Sequence, residues 1–330
     1  MQQRPMTLVE HIEASERRFP EATGAFTVLM QAIGLACKII SREVNQAGLG
    51  KLLGLAGRTN VQGEQVARLD EFANDTLVRT LTRSGSVCAL GSEELAVPIR
   101  LPPAPETGHY AVVFDPLDGS SNIDVAVSVG TIFGVFRRRS PAEGLGGVED
   151  LLQPASSLVA AGYAIYGSST VFVYSTGLGV HGFTLDPSLG ELLLSHENIR
   201  VPARGPYYSC NTGYRDRWPE DVARAVSRFE DGSRSLRYVG SLVADAHRTL
   251  LRGGIFIYPP DRSKPEGKLR LLYEAAPLAF LFEQAGGRAS DGRQRIMEKV
   301  PAQLHDRTPL VLGGSEDVAL YESALAGDAS

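Results

Sequence analysis

Nine consecutive residues, Phe114-Asp115-Pro116-Leu117-Asp118-Gly119-Ser120-Ser121-Asn122, constrain this chain more than any other stretch. They continue Tyr110-Ala111-Val112-Val113-Phe114, a β-branched and aromatic run that reads as a buried strand. Pro116 and Gly119 are expected to end that strand and turn the chain. Asp115 then stands at the strand exit and Asp118 one turn later, both aimed at the same space. Gly119, Ser120 and Ser121 offer three successive backbone N–H groups with no bulky side chain between them, a turn suited to an anion. Carboxylates beside such a nest make sense when a cation lies between them. A divalent metal holding a phosphate is the natural reading.

An Asp-Pro-x-Asp-Gly turn by itself is ordinary, because these are the commonest turn residues. Glu93 and Glu94 change the weighing. They follow Val87-Cys88-Ala89-Leu90, a second apolar run that also reads as a strand. Two neighbouring strands ending in acids at one edge would collect four carboxylates. Two carboxylates about 4 Å apart repel by roughly 4 kcal/mol at an effective dielectric near 20. Protons or cations must offset that repulsion, and an all-oxygen ligand set favours Mg²⁺ or Mn²⁺ over zinc.

The run VVFDPLDGSSNIDVAVSVGTIFGVFR, with GSEE upstream and GKLRLLYE downstream, closely resembles class I fructose-1,6-bisphosphatases. The resemblance extends from about Thr23 to about Glu316. It implies a layered α/β (α+β) fold, an αβαβα sandwich of two mixed-sheet subdomains. The divisions implied are 1–196, carrying the metal and allosteric-type sites, and 197–330, carrying the sugar phosphate. By the same resemblance the metal ligands are Glu64, Glu93, Asp115, the carbonyl of Leu117, Asp118 and Glu274, for two or three Mg²⁺ ions with Mn²⁺ as a substitute. Asp70 and Glu94 would accept the proton of the attacking water, and Arg270 would lie near the reacting phosphate. Gly119, Ser120, Ser121, Asn211, Tyr214, Tyr238, Tyr258 and Lys268 would hold the substrate, with Arg237 reaching in from a neighbouring subunit of a homotetramer.

The start of a helical pattern at Phe26, Leu29, Met30, Ile33, Ala36, Cys37 and Ile40 reads as a core-facing helix with a Thr cap. In the resembling family this helix start is an allosteric site for adenosine monophosphate (AMP), which maps to Thr23, Gly24, Thr27, Tyr110 and Arg137. Ala25 stands where many members carry Glu, and His109 where a Lys commonly contacts the nucleotide phosphate. AMP inhibition is therefore expected to be weak or absent. Residues 51–63 are Gly-rich and aperiodic, matching a lid in the family, and the helix opening near Glu64 is expected to continue to about Arg83.

Composition narrows the remaining classes. A net charge of −5 argues against a nucleic-acid binder. Cys37, Cys88 and Cys210 fit no zinc or redox spacing and suit a reducing compartment, hence the cytoplasm. No 18-residue apolar run suggests a membrane span, and the first twenty residues do not read as a secretory leader. Ser140 to Ser157 reads as a polar loop; it contains no cysteine, so no thiol switch is expected there. Arg137-Arg138-Arg139 reads as a solvated strand end.

Farther on, Leu158–Tyr174 reads as two strands around Gly167-Ser168-Ser169, and Val180–Leu194 as a hairpin. A helix is expected from Leu242 to Leu251, a strand at Ile255–Tyr258, and a long helix opening at Glu274. Arg270 and Glu274, four apart, would ordinarily form an exposed ion pair. Lys264, Lys268 and Arg270 interleaved with tyrosines suit a phosphate monoester. No G-x-S-x-G elbow, Walker loop or paired Cys and His is evident, so hydrolysis by activated water fits best. Sedoheptulose-1,7-bisphosphate remains an alternative substrate, in gluconeogenesis or the Calvin cycle. An inositol monophosphatase would not need the Tyr214, Tyr238, Tyr258 and Lys268 pocket.

Overall fold

The computed structural model describes residues 5–17, 24–47, 62–102 and 108–327, with side chains of the third helix from residue 68 onward. Among the described residues, the helices α1 (Leu8–Glu16), α2 (Ala25–Gln46) and α3 (Gln62–Ser84) precede the first sheet. That sheet comprises β1 (Val87–Ser92), β2 (Ile99–Arg100), β3 (Tyr110–Asp118), β4 (Val129–Arg137), β5 (Leu158–Tyr166), β6 (Thr170–Ser175), β7 (Val180–Asp186) and β8 (Glu191–Ile199). Its order is β2-β1-β3-β4-β5-β6-β7-β8. Among the described residues of this sheet only the β1/β3 pair is parallel, so the expected neighbouring strands do run side by side and finish at the same edge.

The second half begins with β9 (Tyr207–Ser209), α4 (Glu220–Ser227), β10 (Ser235–Leu236), α5 (Leu242–Arg252) and β11 (Ile255–Tyr258). It continues through β12 (Leu269–Arg270), α6 (Ala276–Gln284), β13 (Arg288–Ser290), β14 (Arg307–Thr308), β15 (Leu310–Gly313) and α7 (Ser315–Ala326). Five of these strands form a mixed sheet in the order β10-β9-β11-β15-β13, and β12 pairs with β14 apart from it.

Strand alternation assembles the layers. Along β3, Tyr110, Val112 and Phe114 face one way, into a core with α1, α2 and α3, while Ala111 and Val113 face the other. The second face packs against α5 and α6. Those helices also cover Phe256 of β11 and Leu310 and Leu312 of β15. The opposite residues, Ile255, Ile257 and Val311, pack with α4 and α7. The sequence of layers is thus helix, sheet, helix, sheet, helix, the expected αβαβα sandwich.

Three local features depart from or refine the sequence-based expectation. The strand does not end at Pro116. Beyond Phe114 the β1 partner has stopped, so the missing N–H of proline faces no ladder on that side, and the Thr131 hydroxyl donates to the Pro116 carbonyl at 2.8 Å. The Ser140–Ser157 segment is a loop, as its composition suggests, but an anchored one: the fully buried Asp150 accepts from the N–H groups of Arg139, Ser140 and Gly147. Arg138 is likewise pinned, donating to the carbonyls of Ser140, Pro141 and Gly144, rather than solvated. Helix α2 is long and apolar enough to cross a membrane by length and composition, yet about half of its apolar stretch is buried against the protein core.

Candidate active site

The site is built at the carboxyl ends of β1 and β3. In an unbroken strand, residues three apart point to opposite faces. Asp115 pairs with Ile132 and Asp118 with Gly130, so three steps on β3 match two on β4. One extra residue is accommodated in this β-bulge. The bulge turns Asp118 back toward Asp115, and the Asp115 carboxylate accepts the Leu117 N–H at 3.0 Å inside it. Asp115, Asp118 and Glu274 then offer carboxylate oxygens that all lie within 4.8 Å of one another, and all three residues are buried.

Glu274 does not open a regular α-helix as expected. It lies in a π-helical turn, Leu271–Ala275, immediately before α6. Its carboxylate accepts the backbone N–H of Arg270 at 2.5 Å. The exposed Arg270–Glu274 pair suggested by spacing is not formed by the side chains. The Arg270 guanidinium instead pairs with Glu93, Nε to Oε1 at 3.0 Å, across 177 positions of chain.

Burial pushes the Glu274 carboxyl up to about 8, with the Asp118 charge adding to the effect. Asp118 is pushed up to about 6 by burial, against the opposing hydrogen bonds from Val243 N–H and the Ser241 hydroxyl. Asp115 lies well above the usual carboxylate range, from burial and then the charges of Asp118, Glu274 and Glu93. Asp70 is pushed up to about 6 by desolvation, although the Ser120 hydroxyl bonds to it, and Glu93 adds repulsion. Desolvation raises Glu94 as well, followed by the charges of Glu93 and Asp70. Carboxylates that destabilise one another in this way fit a hard divalent cation. Their donors are all oxygen, the ligand type such ions take.

Gly119, in the left-handed region at φ 75°, leads into a 3₁₀ turn at Ser120–Val125 that carries Ser120 and Ser121. Glu64 falls within α3, but its side chain lies outside the described residues, as do Thr23 and most of the expected lid. The second-half residues converge beside the carboxylates. The Lys268 ammonium lies 5.0 Å from the Tyr214 ring centroid and 3.6 Å from Asp261. Burial raises the Tyr258 hydroxyl, with added effects from the nearby Glu274, Tyr214 and Asp118. Tyr238 is raised by burial and then by Tyr258. Asn211 caps the 3₁₀ turn Thr212–Arg217 that bears Tyr214. Arg237 is not brought into this group: it is exposed, with its guanidinium 5.7 Å from the Tyr207 ring centroid and donating to the Leu236 carbonyl.

Val243, Ser241 and Asp261 gave little sequence signal, whereas Asn122 belongs to the opening motif. Val243 N–H donates to Asp118 at 2.8 Å, Ser241 lies 3.5 Å from the same oxygen, and the Asn122 amide donates to the Gly240 carbonyl at 3.1 Å. These contacts join the bulge to α5, more than a hundred residues later. Asp261, which faces Lys268, is an acid in a turn. Its only cue was its place in the Pro-Pro-Asp-Arg-Ser run.

Two cavities lie apart from this cluster. One, of about 430 Å³, is lined by Glu16, Phe26, His109, Tyr110 and Arg137 among others, and so gathers two of the expected AMP contacts. The Thr27 hydroxyl donates to Glu16 at 2.7 Å, and Gly24 caps α2 at φ 79° without a side-chain bond. A surface cleft of about 780 Å³ is bordered by Arg204 and Arg234, which already pair with Glu316 and Asp317.

A two-sheet sandwich with a buried carboxylate trio at the strand ends, bordered by lysine and tyrosines, defines a metal-type hydrolase site for an anionic ester. Family models described as the N-terminal and C-terminal domains of fructose-1-6-bisphosphatase match residues 6–197 and 201–326. A fructose-1,6-bisphosphatase class 1 of Nitratidesulfovibrio vulgaris is 53% identical over 97% of this chain and 98% of its own length. One from Sorangium cellulosum is 54% identical over 98% of this chain and 94% of its own. Crystal structures of Leishmania major fructose-1,6-bisphosphatase are similar too: the holo form at 42% identity and TM-score 0.88, the apo form at 41% and 0.87, each covering 97% of this chain and 99% of theirs. The chain belongs to the class 1 fructose-1,6-bisphosphatase family.

Proposed function

We propose that this chain is an enzyme that hydrolyses the 1-phosphate of D-fructose 1,6-bisphosphate, releasing fructose 6-phosphate and inorganic phosphate. The observation that carries the reading is the buried Asp115–Asp118–Glu274 trio with the Tyr214, Tyr238, Tyr258 and Lys268 group beside it. Glu64, Glu93, Asp115, the Leu117 carbonyl, Asp118 and Glu274 would hold the metal, read as two or three Mg²⁺ with Mn²⁺ as substitute. When bound, such ions polarise the phosphoryl group and lower the pKa of a coordinated water.

The chain's own residues do the rest. Lys268, the three tyrosines and Asn211 hold the sugar and its 6-phosphate, fixing which ester enters the acidic end. Backbone N–H groups from Gly119 to Ser121 steady the phosphoryl oxygens. Asp70 and Glu94, raised toward neutrality, accept the proton of the attacking water. Arg270 offsets the charge of Glu93 and lies where it can also meet the phosphate.

The division at 196/197 separates a metal-binding part from a sugar-phosphate part in this reading. The apolar stripe Val28, Leu35 and Ile39, exposed along one face of α2, supports self-association, and the outward Arg237 suits a contribution to a neighbouring subunit. A homotetramer is the assembly proposed, to be measured by light scattering. Buried free thiols suit a cytoplasmic setting, and the acidic net charge suits neither nucleic acid nor an anionic membrane surface. Glu16, held by Thr27 in the cavity shared with Arg137 and Tyr110, supports weak or absent AMP inhibition.

Phosphate release from fructose 1,6-bisphosphate and sedoheptulose 1,7-bisphosphate, each with and without Mg²⁺, tests the function. Metal-dependent release from the fructose ester is expected. Release from neither would overturn the reading, and release from the sedoheptulose ester alone would reassign the substrate.

A further inference from the structure

Asp245 is fully buried in the first turns of α5, and its carboxylate is surrounded by donors. Its two oxygens accept from Val239 N–H at 3.1 and 3.0 Å, Gly240 N–H at 3.0 Å, the Ser209 hydroxyl at 2.9 Å and the Arg248 guanidinium at 2.7 Å. The same Arg248 nitrogen donates to the Arg237 carbonyl at 2.8 Å. One charge thereby gathers three pieces of chain: the end of β9, two residues before Asn211; the segment 237–240, which carries Arg237 and Tyr238; and α5 itself. Outside these bonds the segment is held by Arg237 N–H donating to the Tyr208 carbonyl at 2.9 Å and by the Asn122 amide on the Gly240 carbonyl. It follows the two-residue β10, and Gly240 sits at φ 85°.

We infer that Asp245 is a positioning residue for the sugar-phosphate pocket, setting the path of 237–241 so that Tyr238 and Asn211 face the substrate together. The carboxylate touches no substrate itself. Its reach extends to the acidic end as well, because Gly240 bonds to Asn122 through its carbonyl and the next residues, Ser241 and Val243, face Asp118. A carboxylate is required by its surroundings: every group facing it is a donor, and an amide in its place would turn an N–H₂ group toward backbone N–H, hydroxyl or guanidinium. The inference rests on the proposed placement of Tyr238 and Asn211 at the substrate.

The test is steady-state kinetics with fructose 1,6-bisphosphate on purified full-length Asp245→Asn, Ser209→Ala, Tyr238→Phe and the Asp245→Asn/Tyr238→Phe double variant. Asp245→Asn is expected to raise KM by about tenfold or more while kcat changes by less than about threefold, the scale of effect seen when outer partners of a site are lost. Ser209→Ala, which removes one donor only, should raise KM in the same sense by a smaller factor and serves if Asp245→Asn does not fold. The effect of Asp245→Asn should shrink in the Tyr238→Phe background, because both act through one contact. Unchanged KM in the folded single variants, or fully multiplicative effects in the double variant, would overturn the positioning role. An unaltered chain that does not hydrolyse the ester would instead overturn the substrate assignment.

Discussion

Arg270 Nε lies 3.0 Å from Glu93 Oε1, while the backbone N–H of the same arginine holds Glu274. One residue therefore braces two carboxylates whose mutual repulsion would otherwise spread the acidic end. Arg270→Met is expected to lower kcat/KM for the bisphosphate by about 100-fold, the range reached when a charged group at a reacting centre is lost. The pair is partly solvated, so the melting temperature should move by only a few degrees, as exposed pairs contribute little. Kinetics alongside a thermal melt of the same sample checks both.

Carboxyls raised by burial make the metal-free chain sensitive to alkali. Between about 4.5 and about 8, folded Glu274 keeps a proton that the unfolded chain has lost. Asp118 does the same up to about 6. The folded state binds more protons across this window, so its stability falls as pH rises. Melting temperature after chelation is expected to decrease from pH 5 to pH 8. Added Mg²⁺ or Mn²⁺ should raise it more at pH 8 than at pH 5, since only the deprotonated acids take a cation. A flat chelated profile would contradict the clustered placement of these groups.

Gly119 has φ 75°, and a Cβ built on it would come within 3.0 Å of the Ser241 hydroxyl. Gly119→Ala therefore carries a left-handed backbone cost of about 1–2 kcal/mol and presses on the residue that faces Asp118. Activity is expected to fall by about tenfold or more, as small displacements at a reacting centre do. Circular dichroism should remain native-like; full activity would count against a close approach of the two segments.

Glu16 places a negative charge on the hydroxyl of Thr27, at the mouth of α2. AMP in the low micromolar range is expected to leave turnover nearly unchanged. Glu16→Gln should increase sensitivity to AMP, since it removes repulsion without removing the Arg137 and Tyr110 side of the cavity. A dose–response curve for both proteins decides it, and potent inhibition of the unaltered chain would defeat the expectation.

Alternation and strand propensity made much of the architecture legible. β1, β3, β4 and β11 lie where their apolar runs stand, and the parallel β1/β3 pairing brings Glu93 and Asp115 to one edge. Local pattern could not show that β3 continues through Pro116, because that depends on where β1 stops. Nor could it reveal the π turn at Glu274 or the Arg270–Glu93 pair, both set by packing between distant segments. Nothing in the local pattern singles out Asp245; only the closed fold surrounds it with donors. The converging residues of the second half were legible through the family resemblance, since no periodicity links Tyr214, Tyr238, Tyr258 and Lys268.

Helices α5 and α6, late in the sequence, roof the inner face of a sheet finished by residue 199. A chain severed near residue 200 would leave the early fragment with Ile132, Tyr163 and Ile165 bare to water. Neither fragment should hold native structure alone, because each would lack the other half of this core. Inheritance of this protein as separate genes would thus demand that both products always be made together.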